Sequence, residues 1–325
     1  MVAPDGTTAP AVIGIDIGGT KALGVMLDGE GATLAQHRRP TPAGVDSLID
    51  TLEALVEQLA TSAAATIGAV GLGIAGLVDL DGRVRRSPNL VEADDFPVGP
   101  MLAARLGMPV LVDNDANCAA RAEVDGGALQ GISHGLLVTL GTGIGGALVC
   151  DGNVVRGAGG MAGEPGHMMV DPQGPLCVCG LRGCWERYGS GAGLAHLARQ
   201  AVADGRLGQL EALVAGDASA LRGEHVTQAA RSGDPDALGV LDEFSWWVAV
   251  GIANCVTLFD PEVVVVGGGL VSEWDLFGSG VRHHTGAVLF GSAHRDAVRI
   301  EPAAAGEAAG ARGASLLARQ ALGGA

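Results

Sequence analysis

The chain has 325 residues, of which 48% are hydrophobic and 17% charged, so it folds around sizeable cores, about two by length, and is not a disordered chain. Acidic residues (36) outnumber basic ones (20), and the net charge of −16 carries no basic stripe, which argues against nucleic acid or an anionic membrane as a partner. Aromatics are scarce at 3% while Gly reaches 54, so backbones must approach one another closely in many places.

Met1 leads into VAPDGTTAP, which has neither a basic start nor an apolar stretch. The expectation is a chain without a secretory leader, in a reducing, cytoplasmic compartment. Residues 11–17, AVIGIDI, read as a buried strand rich in β-branched residues. GGTK makes a glycine turn, ALGVMLD a second strand, and GATLAQHRR a third after a turn at Asp28–Gly31. Leu48, Leu52, Leu55, Val56 and Leu59 then recur at helical spacing. IGAVGLGIAG returns as a strand near Val70–Ala75, and MPVLVDND is another, ending in polar residues where ANCAARAEV opens a helix. The pattern restarts at 135–153, where GLLVTLGTGIGGALVCDGN can be laid beside VIGIDIGGTKALGVMLDGE of 12–30, with Thr139 opposite Asp16 and Thr142 opposite Gly19. Phe244–Phe259 is an uncharged apolar run, short for a bilayer span, and reads as a buried helix. EVVVVGGG (262–269) is a strand ending in three glycines, and AAGARGASLLARQAL reads as a closing helix with small residues on one side. The order implies two α/β domains with a cleft between them: a smaller one over 1–120, completed by a helix at 306–325, and a larger one over 121–305.

Two segments match G-x-G-x-x-G, at Gly71, Gly73, Gly76 and at Gly141, Gly143, Gly146. Each is followed by a strand and turn instead of a helix, so the dinucleotide reading fails, and no P-loop occurs. The better account is a pair of hairpin tips, Gly18–Gly19–Thr20 and Gly141–Thr142–Gly143, bare enough for backbone N–H groups to approach phosphate oxygens. Asp16, at the end of the first strand, is placed to hold Mg²⁺ through its waters. With the glycines at 267–269, these loops point to nucleotide binding.

Cys177, Cys179 and Cys184 fall within CVCGLRGC, and His167 lies ten residues before the first of them. Three sulfurs and a nitrogen complete a tetrahedral zinc set with no open position, so the cluster is expected to be structural. Cys118, Cys150 and Cys255 lie in apolar contexts and read as core. A metal closing this loop would gather Glu164 and Glu186, whose carboxylates suit the hydroxyls of a polyol. Asp113, Asn114, Asp115 and Asn117 sit at the carboxyl end of a strand, where ligand sites of α/β folds cluster. Asp115 can take a proton from a hydroxyl there while Asn114 orients the substrate. Helix capping competes as an explanation, and one of the four is expected to cap.

Together, DIGGTK, GIAGLVD, VDNDANCAARAE, LGTGIGGAL, GEPGHMMVDPQGPLCVCGLRGCWERYGSG, VVVVGGGLVSE and AGARGASLL resemble the ROK family of sugar kinases and repressors, in that family's order and from residue 16 nearly to the end. Within it the chain is most similar to the bacterial glucokinases. The resemblance implies a two-domain actin-like ATPase (ribonuclease H-like) fold with an interdomain cleft, phosphorylating glucose at the 6-hydroxyl with ATP and Mg²⁺. It implies Asp115 as the general base; Asn114, Glu164, His167 and Glu186, with the backbone of Gly76, as sugar ligands; Gly18, Gly19, Thr20, Lys21, Thr142 and Gly143 along the phosphates; and Gly268 and Gly269 on the adenosine side. His167 would serve zinc with one ring nitrogen and the sugar with the other. The chain departs from the family pattern at Ala147, Pro165 and Val178. The alternatives are a kinase of N-acetylmannosamine, N-acetylglucosamine, fructose or mannose, and a sugar-sensing repressor, for which about ten residues before the first strand leave no helix-turn-helix. A homo-oligomer, dimer or tetramer, is expected.

Overall fold

The computed structural model describes residues 9–63, 65–88, 90, 93–206, 210, 214 and 216–323. The ends of the expected 1–120 and 306–325 blocks, residues 1–8, 324 and 325, lie outside the described residues. The chain divides into two compact units. The first takes residues 1–131, 147–163 and 304–325; the second takes 132–146 and 164–303.

The first unit is built on a five-stranded sheet in the order β3-β2-β1-β4-β7. Its strands are β1 (Ala11–Ile17), β2 (Lys21–Leu27), β3 (Thr33–Pro40), β4 (Ile67–Ile74) and β7 (Val110–Asn114). A small hairpin pairs β5 (Leu77–Val78) with β6 (Val84–Arg86). The β1–β2 and β2–β3 pairs are antiparallel, whereas β1–β4 and β4–β7 are parallel. Alternation sorts the side chains. Ile13, Ile15 and Ile17 join Leu48, Leu52, Leu55 and Leu59 of α1 (Val45–Ala63) in one core, where each buried Leu or Ile is worth roughly 1.5–3 kcal/mol.

The opposite face is filled by α9 (Ala309–Gln320), whose Ala311 and Ala318 cluster with Val12, Leu23, Val25 and Leu27. This helix lies unusually close to the sheet because the positions beneath it are glycine. A Cβ at Gly71 would land on the carbonyl of Ala314, and one at Gly14 on the backbone of Ala311 and Ser315. Gly71→Ala is therefore expected to cost about 3 kcal/mol or more, since backbone and not a movable side chain is the obstacle. Gly239→Ala, on a helix with open space around it, is expected to be neutral or to stabilise by up to about 1 kcal/mol. Parallel thermal melts of the two variants check this, and equal melting temperatures would refute the close-packing account.

A second five-stranded sheet has the same order, β10-β9-β8-β11-β12. Its strands are β8 (Gly135–Leu140), β9 (Ile144–Cys150), β10 (Asn153–Val154), β11 (Val263–Gly267) and β12 (Arg299–Pro302). In both sheets a hairpin-led trio is extended by a parallel pair. This is the doubled strand order of an actin-like ATPase fold, as the repeated sequence pattern implies. Val263–Val266 are all fully buried, as expected for a central strand paired in parallel on both sides.

The apolar run read as a buried helix is the last part of α7 (Pro235–Phe259). Asp234 caps it with bonds to the amides of Asp236 and Ala237, and Pro235 occupies its first turn. One face is buried, with Phe244, Val248 and Ile252 inaccessible, but Leu258 is 70% exposed and Trp246 38%. The expected buried helix is thus buried along one stripe and exposed along the other. Cys118 and Cys255 are buried as expected; Cys150 is not, since β9 ends there on an exposed turn. Among the described residues no helix is long and apolar enough to cross a membrane.

Candidate active site

In the first unit, Asp16 closes β1 and the hairpin tip Gly18–Gly19–Thr20 leads into Lys21 of β2. The amide of Gly18 donates to the carbonyl of Lys21 at 3.0 Å, and the Thr41 hydroxyl donates to the carbonyl of Gly18 at 2.7 Å, so the tip is rigid and its side chains point outward. Burial, and then the charge of Asp115, push the Asp16 carboxyl up to about 7, while Lys21 opposes them. Gly310, in the first turn of α9, is glycine because a Cβ would sit 2.6 Å from Cγ of Asp16. The Lys21 ammonium is engaged by Glu307 at 2.8 Å, which also holds Arg38.

Asn114 ends β7 and Asp115 begins α3 (Asp115–Gly126). Asn114 is the residue that caps: its Oδ1 accepts from the amides of Ala116 (2.8 Å) and Asn117 (3.2 Å). Its Nδ2 donates to the carbonyl of Gly76 at 3.1 Å. Gly76 has φ +123 and is backed by Arg86, so only glycine fits there. Burial pushes the Asp115 carboxyl up, partly offset by the amide of Ala116, which donates to it at 2.9 Å. Asp16, Asn114, Asp115 and Gly76 thus gather at the carboxyl ends of neighbouring parallel strands.

In the second unit the tip Gly141–Thr142–Gly143 closes with a bond from the amide of Gly141 to the carbonyl of Gly143, 2.9 Å long. Glu186 reaches this tip: its Oε2 accepts from the amide of Ile144 at 3.2 Å, and a Cβ on Gly143 would collide with its carboxylate. The other oxygen lies 3.6 Å from Sγ of Cys177. Glu186 therefore joins the glycine hairpin to the thiol cluster. Gly268, with φ +84, follows β11, and a Cβ there would lie 2.5 Å from the carbonyl of Leu140; Gly269 then opens a 3₁₀ turn.

The ligand atoms of His167, Cys177, Cys179 and Cys184 all lie within 4.8 Å of one another. Sγ of Cys179 and Cys184 are 3.5 Å apart, and Sγ of Cys177 is 3.8 Å from Nδ1 of His167. Tetrahedral zinc with bonds of about 2.3 Å to sulfur sets its ligand sulfurs about 3.8 Å apart, so the donors fit that ion. Burial and the neighbouring thiols push Cys184 up to about 12, a cost that a bound dication would reverse. Glu164 precedes the 3₁₀ turn Pro165–His167, and its carbonyl accepts from the amide of His167 at 3.2 Å. Pro165 packs on Gly146, where a Cβ would sit 2.5 Å from its ring.

Two anchors of this loop were not visible in the sequence. Trp185, fully buried between Cys184 and Glu186, donates from Nε1 to the carbonyl of Trp247 at 2.8 Å, and Gly251 makes room for its ring. Tyr188, the chain's only tyrosine, stacks on Trp247 at 3.9 Å and donates to Asp171 at 2.7 Å.

The family model that matches the chain, over residues 12–321, is that of the ROK family. The chain belongs to the ROK family. This ROK chain is 38% identical to a glucokinase of Streptomyces coelicolor over 95% of its length and 97% of the relative's. Among solved structures it is similar to a ROK family glucokinase from Streptomyces griseus in complex with glucose and AMPPNP, with a TM-score of 0.83 and 37% identity over 95% of this chain and 99% of that one. A ROK hexokinase from Thermus thermophilus follows at TM-score 0.79 and 33% identity, covering 96% and 99%.

Proposed function

We infer that this ROK protein is an ATP-dependent glucokinase, transferring the terminal phosphoryl group of ATP to the 6-hydroxyl of glucose. The observation that carries the reading is the half-buried Asp115 carboxylate at the head of α3, beside Asp16 at the end of β1. An acid whose affinity for protons is raised by burial is a better base at neutral pH. Asp115 takes the proton of the 6-hydroxyl as its oxygen bonds to the terminal phosphorus and the bond to ADP breaks. Asn114, Glu164, His167 and Glu186, with the backbone of Gly76, hold the remaining hydroxyls. Backbone amides around Gly18–Thr20 and Thr142–Gly143, with Lys21, receive phosphate oxygens, and Gly268 and Gly269 line the adenosine side. Asp16 would hold Mg²⁺, whose all-oxygen preference it suits and which, when bound, offsets charge on the phosphates. The four-ligand knot would hold a structural zinc. A cytoplasmic homo-oligomer completes the reading; Phe290, 80% exposed, and Leu258 are apolar surface that a second copy would cover, and sedimentation checks it.

ADP release measured across glucose, mannose, fructose and N-acetylated hexosamines is the direct test. The largest kcat/KM is expected with glucose, and a higher value with an amino sugar would overturn the substrate assignment.

A pH effect follows from Asp16. Because the folded chain holds this proton up to about pH 7 and the unfolded chain releases it in the ordinary carboxylate range, the stability it contributes is present below that range and is lost as pH rises toward 7. Mg²⁺ must compete with the same proton. The rise in melting temperature caused by Mg-ADP is therefore expected to grow between about pH 6 and about pH 8, and to lose that dependence in Asp16→Asn. A shift equal at both pH values would contradict it.

A further inference from the structure

One buried acid beside the site has no part in the scheme above. Asp113 is fully inaccessible, yet it gathers three hydrogen-bond donors and the charge of a second arginine. Its Oδ1 accepts from the amide of Asn114 (2.9 Å) and from Nδ2 of Asn117 (2.9 Å), and its Oδ2 accepts from Nη2 of Arg121 at 2.8 Å. Nε of Arg156 forms an ion pair with Oδ1 at 3.2 Å. Arg156 also donates from Nη2 to the carbonyls of Asp79 and Val112, each at 3.2 Å. A single carboxylate therefore fixes the end of β7, the first two turns of α3 and the segment that runs on in the chain toward Glu164.

A buried ion cluster of this kind adds little stability over an apolar core of the same shape, so its value lies in the geometry it enforces. That geometry concerns Asp115. Only Asn114 separates the two aspartates. Its amide is held by Asp113, and its side chain by the amides of Ala116 and Asn117. The backbone on both sides of Asp115, from which its carboxylate projects, is thus pinned.

We propose that Asp113 is a positioning residue for phosphoryl transfer, holding Asp115 in its productive orientation with Arg156 as the counter-charge that locks the arrangement. The proposal rests on the reading of Asp115 as the base. Asp113→Asn keeps the shape and the acceptor for Asn114 but removes the charge that both arginines need. A misplacement of about 1 Å at a reacting group costs on the order of 10²-fold. At a temperature well below its melting transition, Asp113→Asn is expected to lower kcat by roughly 10- to 100-fold while the KM values for glucose and ATP stay within about twofold. Arg156→Met is expected to lower kcat less, and the double variant to lose no more than Asp113→Asn alone, because the two act as one unit. A folded Asp113→Asn with kcat within about twofold of wild type overturns the proposal, as do losses that multiply in the double variant. Should Asp113→Asn fail to fold, the partly exposed Arg156 carries the test by itself: reduced kcat at unchanged KM supports the proposal, and wild-type kcat overturns it. Asp115→Asn in the same assay separates the two ideas, since near-normal turnover there would fell the base assignment regardless of Asp113.

Discussion

Asp115→Asn is expected to bind glucose nearly as wild type does and to lose on the order of 10³-fold in kcat, about 4 kcal/mol of transition-state stabilisation. The asparagine keeps the volume and the acceptor that meets the amide of Ala116, so the head of α3 should stay intact. What it cannot do is take a proton. The loss should therefore appear in kcat, with little change in the glucose dissociation constant measured by calorimetry. Turnover within about tenfold of wild type would remove Asp115 from the base role, because general-base catalysis is worth at least about 10²-fold.

Cys179→Ser, or stripping of the metal by a chelator, is expected to weaken glucose binding and lower kcat/KM by on the order of 10²-fold. Cys179 and Cys184 are 3.5 Å apart in the knot, and removing one thiolate leaves three donors for an ion that needs four. The damage should travel through Glu186, which touches Cys177 on one side and the amide of Ile144 on the other. Since Ile144 follows the glycine tip, the KM for ATP should rise as well, which a sugar-only role for the loop would not produce. Metal analysis of the purified protein, followed by calorimetry with glucose, checks each link. Cys150→Ser, at an exposed site on the end of β9, serves as the control and should behave as wild type. A zinc-free variant that binds glucose normally would break the connection between knot and sugar.

Local chemistry explains what the sequence reveals about this molecule. Runs such as AVIGIDI and EVVVVG declare strands because β-branched residues alternate or cluster, and the glycine tips announce tight hairpins. The thiol cluster is legible because its donors lie close along the chain. The bond between Glu186 and Ile144 is not, because it joins residues 42 apart through a fold that a motif cannot supply. In the sequence Asp113 is one of four polar residues at a strand end, whereas its partners Arg121 and Arg156 come from a helix and from a segment past β10. Asp234 and Pro235 carry the signal of a helix start, but the charged residues between them and Phe244 break the apolar pattern, so only the last part of α7 stands out in the sequence. Cys150 sits in an apolar stretch yet is exposed, because that stretch stops at a turn.

Helix α9 comes last in synthesis among the elements of the first unit, after the whole of the second has been made. Until it leaves the ribosome, the seat shaped by Gly14 and Gly71 stands open, and Val12, Leu23, Val25 and Leu27 face water on a nearly finished sheet. A nascent chain must thus carry a sticky, unpartnered surface through most of translation. Premature stop codons in the final exposed stretch of message should accordingly yield insoluble product, out of proportion to the few residues they delete.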